Sequence, residues 1–547
     1  MRAFLKWTKR GFRLAPARIE SISYELTPLK SFAEIDAAAQ FFAFAISKTL
    51  TDSGMTGSLT GMSLHKAAHG KPAGTRELSP LPKLLDIPEE EMRALGYRAV
   101  DEVVSHLSTL ATKCVGRKAP MEDLQPKVME PMPRQGRSVD EIFRRLRETV
   151  FSNIMNIGHP RFLAFVPGAP NFVGIVGDLL ASGFNVFSGS WIGGSSAAAI
   201  EIGVIDWLCK LCGLPEGSGG LFVSGGSVAN LTALTVARHN ILNDHLEGAV
   251  AYLSDQTHSS VERALRVIGL RQEQIRRVPG DETFRVSTDQ LTRAVEEDRG
   301  RGLRPFCIIA NAGTVSSGAI DDLHRISEIC RENGMWMHVD GAYGAAAVIS
   351  DEGRALLEGL SLADSLSLDP HKWLFQPIEC GCVLLRNAFL LRSTFQIHAS
   401  YLSEIHLNAE VNFCDYGIQL TRSFRALKVW MSFQYFGLDT FVQAVEHGLA
   451  LARIVEAEIR RRPVWEVVTP AQMGIVTFRR KGVGESFYRR LHHAMLQDGY
   501  ALLTTTVLNN EVVLRMCTIN FRTTNDDINQ ILDWLERLAP DCIEGSS

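Results

Sequence analysis

Lys372 stands in Asp369-Pro370-His371-Lys372-Trp373-Leu374-Phe375, a lysine among apolar residues just after a strand-like run. Burying an ammonium group is costly and lowers its pKa. A neutral amine of this kind can attack an aldehyde and form a Schiff base. A lysine that lays its stem on apolar surface and reaches water is the plainer alternative. His338-Val339-Asp340-Gly341-Ala342-Tyr343 puts a carboxylate at the end of another apolar run. There it can pair with a pyridinium nitrogen and keep it protonated, or simply cap a helix.

Three further segments follow strand-like runs. Ser224-Gly225-Gly226-Ser227-Val228-Ala229-Asn230 brings glycines to the start of a helix, where backbone N–H groups suit a phosphate. It has no P-loop lysine and no dinucleotide spacing, and Ser227 is not in a nucleophile elbow. His258, in Ser254–Ser260, can stack on a flat ring, act as acid or base, or be structural. Asn311-Ala312-Gly313-Thr314 offers a small polar contact or a plain turn. In chain order these are a phosphate site, a ring-stacking histidine, a polar contact, a pyridinium partner and a Schiff-base lysine. Each has a bland reading; the conjunction is the specific signal. No metal site is expected.

The elements that must position these residues are legible too. Strands are predicted at Gly220–Val223, Ala249–Leu253, Phe306–Ala310, Met335–Val339, Ser365–Leu368 and Cys382–Leu385. Buried runs separated by helices predict an α/β fold, a mostly parallel sheet with helices on both faces. In such sheets ligands sit at the carboxyl ends of the strands. A helix starts near Pro88, and its Val100, Val103, Val104 and Leu107 should pack on a partner surface. Further helices are predicted near Phe424–Phe436 and Asp526–Leu538. The expected division is an N-terminal extension over 1–82, a helical segment over 83–160, a large cofactor-binding domain over 161–435 and a small α+β domain over 436–547.

Thr51–Pro82, rich in Gly, Ser, Thr and Pro, reads as a mobile linker. The first 18 residues are basic and lack acids, as in a transit-like leader or an unstructured start. A net charge of -4 gives no global field for nucleic acid or an anionic membrane. No continuous apolar run approaches the ~20 residues of a membrane span. Ten scattered cysteines without a pairing framework read as reduced core thiols of a cytoplasmic protein.

Taken together, SDQTHSSVERA (Ser254–Ala264), HVDGAY (His338–Tyr343), DPHKWL (Asp369–Leu374) and FRALK (Phe424–Lys428) resemble the group II pyridoxal-phosphate-dependent amino-acid decarboxylases. His159-Pro160-Arg161-Phe162 and Leu514-Arg515 extend the match from about Leu84 to the C-terminus. The nearest members are aromatic-L-amino-acid decarboxylases. The resemblance implies a fold-type-I, aspartate-aminotransferase-like architecture: a seven-stranded, mostly parallel sheet plus the small C-terminal domain. It also implies a homodimer with interfacial active sites, and decarboxylation of an L-amino acid to the amine. By the same resemblance Lys372 forms the internal aldimine, Asp340 pairs with the ring nitrogen, His258 stacks on the ring and Ala342 packs on its other face. Gly225, Gly226, Ser227, Asp369 and His371 surround the phosphate side, and Thr314 lies near the ring.

The departures bear on the product. Members of the family carry a loop tyrosine that supports protonation of the carbanion, and an alignment anchored on Ile418 and Phe424-Arg425 puts Phe413 there. A phenyl ring cannot donate a proton. That leaves open a decarboxylation-coupled oxidative deamination to an aldehyde, with Tyr416 as a substitute donor if the register shifts; the plainer alternative is that Phe413 is ordinary loop packing and His258 or water supplies the proton. Ile157, Val166 and Gly189 replace aromatic pocket positions, and Gly168 stands where a small hydroxyl residue is common. An aminotransferase and a non-catalytic scaffold on the same fold are the remaining alternatives.

Overall fold

The computed structural model describes residues 85–397 and 410–543. The expected leader and linker lie outside the described residues. The main sheet has seven strands: β1 Gly219–Val223, β2 Ala249–Ser254, β3 Ile275–Val278, β4 Arg304–Asn311, β5 Trp336–Asp340, β6 Ser365–Leu368 and β7 Gly381–Leu385. Their order is β1-β7-β6-β5-β4-β2-β3. All neighbours run parallel except β7, which is antiparallel to both β1 and β6. The six predicted strands are present. The seventh, β3, escaped the pattern because its Ile-Arg-Arg-Val buries only the two ends.

Residues of β2, β5 and β6 are buried at every position, which is why these runs are continuously apolar rather than alternating. Successive side chains enter opposite cores. Ile308, Ala310, Met337 and Val339 pack with Val204 and Leu208 of the helix Trp191–Leu211. Cys307 and Ile309 pack with Ala233 of the helix Gly226–Leu242 and Val261 of the helix Ser259–Val267. Each fully buried aliphatic side chain stabilises the sandwich by about 1.5–3 kcal/mol.

A second, antiparallel sheet orders as β10-β11-β9-β8, with β8 Trp465–Gln472, β9 Ile475–Arg480, β10 Thr504–Leu508 and β11 Glu511–Cys517. Its core joins Phe478 and Leu514 to Val455, Leu491 and Leu535 of the helices Leu438–Arg461, Glu485–Asp498 and Asn525–Ile543.

One expectation needs correcting. Among the described residues, the helix Trp191–Leu211 is long and apolar enough to cross a membrane. Its polar residues kept it from looking like a continuous run. One of them, Glu201, is buried inside the fold, where it accepts from the Phe222 N–H at 2.9 Å and pairs with the buried Arg422 guanidinium at 2.5 Å. The helix Glu89–Ser108 starts after Pro88 as predicted and has no buried residue within the chain.

Candidate active site

A cavity of about 370 Å³ opens at the carboxyl ends of the central strands, a size that suits a small-molecule site. Ser224, Gly225, Gly226, Ser227, His258 and Thr314 line it, and so do Asp340, Ala342, Asp369, His371 and Lys372. The five segments singled out in sequence therefore converge, because each follows a strand of one sheet.

Lys372 corrects the expected picture of an amine buried among apolar groups. Trp373, Leu374 and Phe375 turn into the core, while the Lys372 side chain stays partly exposed. Its Nζ lies 3.1 Å from Asp369 Oδ2. The backbone behind it is crowded. A Cβ at Gly168 would sit 2.0 Å from the His371 carbonyl oxygen and 2.9 Å from Lys372 Cα. Gly168 thus supports the lysine's backbone and is absent from the cavity lining, contrary to its expected substrate role. Not even a serine fits there without moving that backbone.

Asp340 ends β5. Its Oδ1 accepts from the Ser367 hydroxyl at 3.0 Å and the Ala342 N–H at 3.2 Å, and its Oδ2 accepts from the Asn230 amide at 3.0 Å. Three donors hold the carboxylate in one orientation. The helix-cap reading has no support, since Asp340 caps no α-helix here.

His258 does cap one. Its Nδ1 receives the Ser260 N–H at 3.2 Å at the start of the helix Ser259–Val267. The same nitrogen lies 2.7 Å from Ser260 Oγ. Nδ1 is thereby an acceptor, and in the neutral ring the proton sits on Nε2. Burial lowers the His258 pKa from its ordinary value; Asp340 opposes that and Lys372 adds to it. The capping role of His258 occupies Nδ1 and leaves the Nε2 side of the ring for the cavity.

The glycine-rich side of the cavity is built by close approach. Gly225 precedes the N-terminus of the helix Gly226–Leu242. A Cβ on Gly226 would lie 2.8 Å from Ala342 Cβ and 3.0 Å from Asp369 Oδ2. One on Gly225 would lie 3.3 Å from His371 Cε1. His371 is fixed by its Nδ1, 2.7 Å from the Cys380 carbonyl oxygen, and burial lowers its pKa. Asp369 Oδ1 is buried without a hydrogen-bond partner, an acceptor that a bound group can satisfy. Free backbone donors at a helix start, a carboxylate, a histidine and an amine at one cavity fit pyridoxal phosphate. Thr314 lines the cavity, but its hydroxyl is 2.9 Å from Ser317 Oγ and accepts the Ala319 N–H, which is turn geometry.

Phe413 and Tyr416 do not line the cavity. Phe413 is buried under the Arg422 guanidinium, 5.0 Å from its ring centre, and packs against Tyr416 at 5.6 Å. Within its own chain Phe413 therefore packs as an ordinary core ring beside the Arg422 guanidinium. Ile157, Val166 and Gly189 are also absent from the lining. Sequence reading missed Val315, Ile378 and Glu379, which do line it. It also missed Arg515, whose Nε donates to the Val315 carbonyl at 2.6 Å and whose Nη1 bonds the Phe165 carbonyl. Only Leu514-Arg515 within the resemblance hinted at that role.

A family model described as the pyridoxal-dependent decarboxylase conserved domain matches residues 121–481. An aromatic-L-amino-acid decarboxylase of Bacillus atrophaeus is 48% identical over 464 residues, covering 83% of this chain and 97% of its own. Among solved structures, tryptophan decarboxylase of Catharanthus roseus in complex with L-tryptophan superposes with a TM-score of 0.78 at 27% identity, covering 83% and 99%. The 4-hydroxyphenylacetaldehyde synthase of Rhodiola rosea gives 0.77 at 26%, covering 83% and 99%.

Proposed function

This chain belongs to the pyridoxal-dependent decarboxylases, and from that premise we propose that it converts an aromatic L-amino acid to its amine and CO2 at the Lys372 cavity. It is a pyridoxal-phosphate-dependent amino-acid decarboxylase. When bound, the cofactor supplies the electron sink for the pair left by departing CO2. The chain's own residues do the positioning. Lys372, steadied by Asp369, would hold the cofactor covalently. The N–H groups at Gly226 and Ser227 would bind its phosphate, Asp340 would pair with its ring nitrogen, and Ala342 and His258 would flank the ring. The Nε2 proton of His258 can be delivered to the substrate carbon, since Nδ1 is already committed to Ser260.

The observation that carries this reading is the meeting of Lys372, Asp340, His258 and Gly225–Ser227 in one cavity. The aromatic substrate class is supported by the 48% identical relative and by apolar Val315 and Ile378 at the cavity. The amine product is supported by the 48% identity to an aromatic-L-amino-acid decarboxylase, against 30% to a phenylacetaldehyde synthase. The sequence holds one tyrosine between residues 398 and 409, Tyr401, outside the described residues. The test supplies the loaded enzyme with L-amino acids under air and quantifies amine, aldehyde and peroxide together, on the native chain and on Tyr401→Phe. Amine without peroxide from aromatic substrates is expected of the native chain. Aldehyde with stoichiometric peroxide would overturn the product, and turnover confined to non-aromatic substrates would overturn the class.

We further propose a homodimer working in the cytoplasm. Phe184 and Ile192 are 79% and 72% exposed in the single chain, and Val100 and Val104 point outward from the helix Glu89–Ser108. Such patches mark contact surfaces. The ten free cysteines accord with a reducing compartment. The two sheets accord with boundaries near residues 160 and 435.

A further inference from the structure

Beneath the cavity a buried polar chain leads from Trp336 to two groups of its wall, Asp340 and His258. Strands β5 and β6 pair with His338 opposite Ser365 and Asp340 opposite Ser367. These four residues and Trp336 share one face of the sheet by strand alternation. The helix Gly226–Leu242 brings Asn230 to the same place. The Trp336 indole N–H donates to Ser365 Oγ at 2.8 Å, and Ser365 Oγ lies 2.9 Å from His338 Nδ1. His338 Nε2 is 3.0 Å from Asn230 Oδ1. The Asn230 amide nitrogen is 3.0 Å from Asp340 Oδ2 and 3.1 Å from Ser260 Oγ. Ser260 Oγ in turn reaches His258 Nδ1.

The direction of every proton along this chain is fixed by its ends. An indole N–H can only donate and a carboxylate only accept. Ser365 accepts from Trp336 and gives its own proton to His338 Nδ1. His338 then carries its proton on Nε2 and donates to Asn230 Oδ1. Both hydrogens of the Asn230 amide are spent, one on Asp340 and one on Ser260. The Ser260 hydroxyl passes its proton to His258. A flipped Asn230 would turn its oxygen on the Asp340 carboxylate and its N–H groups on the His338 N–H. Trp336, Ser365, His338, Asn230 and Ser260 are all buried, so water cannot replace a lost partner.

We propose that Asn230, oriented by His338, is the positioning residue that holds the ring-nitrogen partner Asp340 and the ring-stacking His258 in fixed relation through one amide. The inference rests on the reading of this cavity as the pyridoxal-phosphate site. It implies that loss of the Nε2 donor of His338, a residue absent from the cavity lining, reaches the cofactor's ring nitrogen through Asp340.

The test titrates the apoenzyme with pyridoxal phosphate and with its 1-deaza analogue, in which carbon replaces the ring nitrogen. The native protein should prefer pyridoxal phosphate by about tenfold or more, the size of a hydrogen bond to a charged group. Asn230→Leu and His338→Asn should bring that preference to about one. His338→Gln, whose amide reaches the position of Nε2, should keep it within about threefold of native. If Asn230→Leu does not fold, the two His338 variants decide. Both affinities falling together, or a preference kept in His338→Asn, would reduce these residues to packing and overturn the inference. A native chain that binds neither compound would overturn the site reading itself, and the inference with it.

Discussion

The interior under the cavity and the helix Glu89–Ser108 are opposite solutions to the same problem of satisfying a chain's surfaces. Under the cavity, Asn230, His338, Ser365 and Asp340 are buried and each finds its partner within one subunit. The helix Glu89–Ser108 buries no residue within the chain, and its Val104 is 44% exposed. The first region is specified by this sequence acting on itself, and the second, in the dimer proposed above, would be specified for a partner's surface. Substitutions should therefore act on chemistry and folding in the first region and on assembly in the second.

The largest effect expected is from Lys372→Ala, which should cost at least about a thousandfold in turnover. Borohydride should then no longer fix the cofactor to the peptide that contains residue 372, as read by mass spectrometry. The dimer should persist in light scattering. Dissociation of that variant would blur the contrast, because the site would then hold the assembly together. Next in size, Glu201→Gln breaks a fully buried ion pair with Arg422, and should cost about 3–5 kcal/mol in urea unfolding.

Protonation sharpens the comparison. Burial lowers the pKa of His338 to about 4. The folded protein then binds fewer protons than the unfolded chain between pH 4 and 6.5. This contribution to stability is complete above 6.5 and is lost as the pH falls toward 4, by up to about 1.4 kcal/mol per unit. His338→Gln should remove that share of the slope when unfolding free energy is measured against pH. An unchanged slope would contradict a neutral, buried His338.

Smaller effects follow. Phe413→Tyr places a hydroxyl in a packed core and should cost about 1–3 kcal/mol. The ratio of amine to aldehyde should stay as it is; a shift in that ratio would return Phe413 to the site. The smallest effect on unfolding, within about 0.5 kcal/mol for the isolated subunit, is expected for Val104→Glu. Its signature should be a lower molecular mass in light scattering.

The same contrast explains what could be read from sequence. The strands and their site-bearing ends were legible, because buried parallel strands are continuously apolar and the chain reaches their carboxyl ends in order. Asn230 was visible only as the last residue of a glycine-rich turn, since its partners lie 108 and 110 positions away. The packing of Phe413 under Arg422 was not visible, since Arg422 is itself held by Glu201, 221 positions away, and no local pattern reports such a pair. Gly168 looked like a substrate position, although a backbone contact with His371 dictates it. β3 was missed because two of its four residues are arginines.

The position of β7 has a consequence for how the protein is made. Among the described residues, the edge strand β1, which leads into Gly225–Ser227, has β7 as its one neighbour in the sheet. A Cβ on Gly381, where β7 begins, would stand 2.3 Å from Gly225 Cα. On the ribosome, β1 and the glycine-rich turn after it emerge early, yet among the described residues their strand partner is complete only when residue 385 has followed. Synthesis thus completes the proposed phosphate cradle only after Lys372, thirteen residues before that point, is already in the chain.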